Sequence, residues 1–130
     1  MDHCGDLRIV FPADEAYIPY MRGMVAEAVQ LAGLGAKFAH RTEVVVDELL
    51  GNSIRFAAPY ASVRLNCEIQ GSSVKLRVSE SCDGENERES IQGLEIVRML
   101  STSVDYAVGD NGECVVEVIQ ESQRQAEDSR

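Results

Sequence analysis

No basic run of any length appears in this chain, and its formal net charge is −10. So acidic a surface is repelled by phosphate backbones and anionic headgroups, which argues against nucleic acid and against a membrane surface as partners. No apolar stretch approaches the length of a membrane span, and the opening Met1-Asp2-His3-Cys4-Gly5-Asp6 is unlike a signal peptide. The expectation is a soluble, cytoplasmic protein. Histidine is scarce, with only His3 and His40, and the four cysteines Cys4, Cys67, Cys82 and Cys114 form no Cys-x-x-Cys pair. Scattered this way they support neither a zinc site nor a disulfide framework, so four reduced thiols are expected. Neither histidine stands in a setting that would activate a cysteine nucleophile. Internal repeats and linkers are missing too, which leaves one domain.

The chain does have apolar material. At 130 residues and 45% hydrophobic, it can build a core of ordinary size. Leu7 to Phe11 alternates as a strand and stops at Pro12; Asp14 can cap a short turn, and Pro19 suits the first turn of a helix. That helix places Met21, Met24, Val25, Ala28 and Leu31 on one stripe and ends near Gly33 or Gly35. A second helix is predicted from about Ala36 to Phe56, with Pro59 as its stop. Val63, Leu65, Cys67 and Ile69 then alternate with polar residues, Gly71-Ser72 turns the chain, and Val74, Leu76 and Val78 continue the buried face. The polar run from Ser81 to Ser90 reads as a loop. A short amphipathic helix follows from Gly93 to Leu100, and Val104–Val108 with Cys114–Ile119 closes a hairpin around Asp110-Asn111-Gly112. The predicted fold is an α/β two-layer sandwich, with a mixed, mostly antiparallel sheet covered on one face by helices. Residues 1–6 and 122–130 are expected to be flexible ends around a domain at 7–121.

The most informative stretch is Asp47-Glu48-Leu49-Leu50-Gly51-Asn52-Ser53 on the second helix. Phe38, Thr42, Val45, Leu49, Ile54 and Ala57 mark its core stripe, which leaves Glu48 and Asn52 one turn apart off that stripe. A carboxylate and a carboxamide so stacked offer oxygens to a hard cation such as magnesium, which typically serves substrate phosphates. A solvated helix face is the plain alternative. The alternation of the third strand puts Glu80 on the buried face at the strand's end, where a carboxylate is costly without a partner or ligand. Glu80 is thus a pocket candidate unless the strand has frayed before reaching it.

From about Leu7 to Glu121 the chain resembles the anti-sigma-factor serine kinases of bacterial partner-switching systems, which have the histidine kinase-like ATPase (GHKL) fold. Three places carry the resemblance: Val10-Phe11-Pro12-Ala13-Asp14 with Arg22 on the first helix; Val46 to Ser53; and Gly93-Leu94-Glu95-Ile96-Val97. The resemblance implies ATP with magnesium as cofactor, Asn52 as metal ligand and Glu48 as the catalytic residue acting on the attacking group. It implies nucleotide contacts at Glu80, Gly84, Gly93 and Leu94, and a contact of Arg22 with partner proteins, namely a sigma factor or a STAS-domain antagonist. It also implies a homodimer.

Two departures from the family pattern bear on activity. The family's Asp-x-Gly-x-Gly is here Glu80-Ser81-Cys82-Asp83-Gly84, with a longer acid and a side chain at Cys82 where backbone should lie against the base. The lid segment is short and carries Glu85, Glu87 and Glu89, whereas phosphates are held by backbone amides and cations. Two functions therefore stay open. One is an ATP-dependent serine kinase acting on its antagonist partner; the other is a binding module on the same fold without nucleotide chemistry. A stand-alone ATPase domain of another pathway is a third.

Overall fold

The computed structural model describes residues 4–81, 94–109 and 111–122. The strands are β1 (Cys4–Pro12), β2 (Ser62–Gln70), β3 (Ser73–Ser81), β4 (Ser103–Val108) and β5 (Glu113–Glu121); the helices are α1 (Ile18–Leu31), α2 (Ala36–Phe56) and α3 (Glu95–Met99). The strands form one sheet in the order β1-β2-β3-β5-β4. All its described pairings are antiparallel, so the parallel component expected from the sequence is not seen among the described residues. β1 begins at Cys4, ahead of the start expected at Leu7 and inside the end expected to be flexible, and it pairs with β2 along its whole length. At the other end, the Ser122 amide donates to the Ser72 carbonyl at 2.8 Å.

Local chemistry accounts for the boundaries. Asp14 accepts from the Ala16 amide at 2.9 Å and caps the turn that leads into α1. Gly33 ends α1 in the left-handed region (φ 81°), where the Gly33 amide donates to the Gln30 carbonyl and the Leu34 amide to that of Val29. These two bonds satisfy carbonyls that the helix end would leave open, and the buried Leu34 packs behind them. α2 runs over the span expected and ends at Phe56, where the chain turns extended ahead of Pro59.

The core lies between the helices and one face of the sheet. Val45, Val46, Leu49 and Leu50 of α2 meet Leu65, Cys67, Leu76, Val78, Val116 and Val118, all essentially shut off from solvent. The stripe on α1 differs from expectation. Met21, Val25, Ala26 and Val29 are buried, whereas Met24 is 43% and Leu31 73% exposed. The row at i, i+4 and i+8 faces α2; Met24 lies beside that row, and Leu31 is the last helical residue. Cys67 is buried and free, and burial, reinforced by Asp6 and Glu68, pushes its thiol up to about 12. Such a thiol is not a nucleophile at neutral pH. Cys114 corrects the expectation of four reduced thiols, for it is disulfide-bonded.

Candidate functional site

α2 turns Val45, Val46, Leu49, Leu50, Ser53 and Phe56 toward the core, so Asp47, Glu48, Gly51, Asn52 and Arg55 fall on its outer side. With Ile18 from the start of α1 these five line a cavity of about 410 Å³. The structure therefore brings Glu48 and Asn52 together on one wall, half-buried, as their spacing predicts. Gly51 sits between them, and a Cβ added there would meet open space. Glycine inside a helix costs up to about 1 kcal/mol relative to alanine, and here it leaves the wall of the cavity bare.

Arg22 is not a free arginine. Its Nη1 donates to Asp47 Oδ1 at 2.8 Å, which ties α1 to the cavity wall. Arg55 supplies the positive charge in the cavity lining, with its guanidinium carbon 5.4 Å from the Phe56 ring centroid. Arg55 and Asp47 carry no role in the sequence pattern, although both stand on the same helical side as Asn52 and Glu48.

Glu80 lies deeper, on the inner face of β3 between Val63 of β2 and Cys114 of β5. It is 5% exposed, and its Oε2 has no hydrogen-bond partner. Burial raises its carboxyl to about 7; the bond from Ser53 opposes that rise, and Glu113 adds to it. Ser53 is 2% exposed and adjoins Asn52, so α2 reaches both the cavity wall and the buried carboxylate with consecutive residues. A polar residue one turn beyond Leu49, on the core stripe, is the signal by which sequence reasoning could have found Ser53.

Leu94 is fully buried and caps α3 as part of the core, so any contact it makes with a ligand is through its backbone. Gly84 and Gly93, with Cys82 and the three glutamates of the short lid, lie outside the described residues. Among the described residues no three His, Cys, Asp or Glu gather as a metal site. Magnesium held by one or two protein groups and by phosphates needs no such cluster.

The donor set suits a magnesium nucleotide. Glu48 and Asn52 present hard oxygens one turn apart, and the buried Glu80 Oε2 is an acceptor in want of a donor such as an exocyclic amine. No curated protein is similar enough to this chain to match it. The histidine kinase-like ATPase domain matches it over residues 11–119, a span that begins near the end of β1 and reaches the last strand. Every described residue of the site falls inside that span, and the chain belongs to the histidine kinase-like ATPase family.

Proposed function

We propose that this chain binds ATP with magnesium and acts as a partner-switching regulator of the anti-sigma-factor type, gripping a sigma factor or a STAS-domain antagonist. The observation that carries the nucleotide half is the unpartnered, buried Oε2 of Glu80, fixed from α2 by Ser53 next to Asn52. An acceptor left open in a dry site costs about 1–3 kcal/mol, and an adenine amino group would repay it. The partner half rests on the resemblance at Val10–Asp14, Arg22 and Val46–Ser53.

In this reading Asn52 ligates the metal, Glu80 reads the base, and Arg55 meets phosphate oxygens from the cavity rim. Glu48 orients the partner's serine hydroxyl and takes its proton as the γ-phosphoryl group is transferred. Magnesium, when bound, supplies charge neutralisation on the phosphates. The cavity needs it: Asp47 and Glu48 outnumber Arg55 in the lining, and Asp47 already holds Arg22. Nucleotide binding is therefore weak and strictly magnesium-dependent.

The same charge balance favours a second reading, a module that grips its partner without competent nucleotide chemistry. Calorimetric titration with ATP, with and without magnesium, separates the two. Saturable binding only with magnesium supports the nucleotide reading, and no binding under either condition leaves the module. Transfer of labelled γ-phosphate to a serine of the captured antagonist identifies a kinase. A pull-down whose partners, sequenced by mass spectrometry, include neither a sigma factor nor a STAS-domain protein sinks the partner-switching assignment.

A further inference from the structure

A second cavity, of about 280 Å³, opens near the start of α2. Arg41 on its rim lies eleven residues before Asn52, about 16 Å along the helix from the first site. Three buried polar side-chain atoms among the described residues lack a hydrogen-bond partner, and two of them, Gln120 Oε1 and Ser101 Oγ, belong to residues lining this cavity. The third is Glu80 Oε2 at the proposed nucleotide site.

Gln120 is 1% exposed, and its Nε2 donates to the Leu100 carbonyl at 3.0 Å. That bond fixes the amide and leaves Oε1 as a buried acceptor with nothing to accept. Two opposite charges, Arg41 and Glu121, line the same cavity, and neither side chain makes an ion pair with the other or with any other described residue. Phe38, Leu100 and Met99 complete an apolar wall.

We propose that this cavity is a binding site for a small zwitterion, a free α-amino acid with an apolar side chain. Its carboxylate meets the Arg41 guanidinium and accepts from the Ser101 hydroxyl. Ser101 Oγ and Gln120 Oε1 are closed to water as the cavity stands, so the ligand reaches them by side-chain adjustment at the wall, its ammonium facing Glu121 and donating to Gln120 Oε1. The side chain lies against Phe38 and Leu100. A cavity of this size falls at the lower limit for small-molecule sites, roughly 300 Å³, which suits one amino acid and excludes a nucleotide. Met99, 83% exposed and unbranched, borders the opening and can swing aside without disturbing the core.

The test is a ¹H–¹⁵N NMR titration of the full chain with L-leucine, L-methionine and L-phenylalanine up to roughly 10 mM, a range that detects millimolar affinity. Isoamylamine and 4-methylpentanoate, which keep the leucine side chain and one charge each, serve as controls. At least one amino acid should shift the backbone amides of Leu100 to Thr102 and of Gln120 saturably, and each control should bind about tenfold more weakly or worse. Arg41→Ala, at an exposed position, and Gln120→Met, which keeps length but removes the acceptor, should each abolish the shifts while the melting curve persists. The proposal fails if no amino acid gives a saturable shift, as when water alone fills the cavity. It also fails if the amine or the acid binds as well as leucine, or if Arg41→Ala leaves the affinity unchanged.

Discussion

Arg22 on α1 donates to Asp47 on α2 at 2.8 Å, so the side chain proposed to meet a partner is already fastened to the helix that carries Glu48 and Asn52. Both side chains are about two-fifths exposed, and solvent screening limits such a pair to under about 1 kcal/mol. Arg22→Ala should therefore lower stability by no more than that, while weakening partner binding by about 1–3 kcal/mol. Arg22→Lys should keep most of the stability and lose most of the affinity, because an ammonium cannot fork across two carboxylates. Calorimetric unfolding and surface-based binding with the purified partner give both numbers. Equal partner affinity for the wild type and Arg22→Ala would remove Arg22 from the interface.

Glu80 makes stability depend on pH in a direction fixed by its raised carboxyl. The folded value is about 7 against 4.5 for the ordinary group, so the folded state binds the extra proton between those limits. Stability from this group is whole below about pH 4.5, falls as pH rises through the window, and is lowest above about pH 7, by up to roughly 3 kcal/mol. Glu80→Gln should remove that slope and be the more stable protein at pH 8. Denaturant titrations at pH 5 and pH 8 check it; equal differences between wild type and variant at both values would mean the carboxyl is not raised.

Asn52→Ala should abolish the effect of magnesium on ATP binding and leave the fold intact, since Asn52 is half-buried on the cavity wall. Arg55→Ala should weaken ATP without erasing the metal dependence, because it removes a phosphate contact and no metal ligand. Titrations at fixed ATP and varied magnesium distinguish the two losses. Full kinase activity in Asn52→Ala would take the metal away from α2.

Leu49 is 1% exposed between α2 and the sheet. Leu49→Ala should cost about 2–5 kcal/mol, the range for a core leucine whose cavity cannot collapse. Equilibrium urea unfolding measures it. A loss below about 0.5 kcal/mol, the level of a surface substitution, would contradict the packing that directs Glu48 and Asn52 outward.

Particular residues show why the α2 site was legible in the sequence and its connections were not. Phe38, Thr42, Val45 and Leu49 repeat at helical spacing ahead of Pro59, so the span of α2 and the side occupied by Glu48 and Asn52 follow from periodicity alone. The alternation of Val74, Leu76 and Val78 carries the buried parity to Glu80 in the same way. The bonds from Ser53 to Glu80 and from Arg22 to Asp47 join positions more than twenty residues apart, a distance across which periodicity says nothing. On α1, both Met24 and Val25 fit an amphipathic stripe, and only the placement of α2 decides which is covered. The disulfide at Cys114 left no trace in cysteine spacing.

The order of the strands also governs how the chain reaches this shape. β2 and β3 are joined by two residues, Gly71 and Ser72, with Gly71 in the left-handed region at φ 59°, so the central pair closes with little loss of chain entropy. β1 lies beside β2 only after the whole α1–α2 pair has been looped out, and β5 joins β3 across the segment that contains α3. Folding is therefore expected to start from the local hairpins, the central one among them, with β1 a late arrival. Truncating Leu76 should then slow refolding, whereas truncating Ile9 should chiefly hasten unfolding.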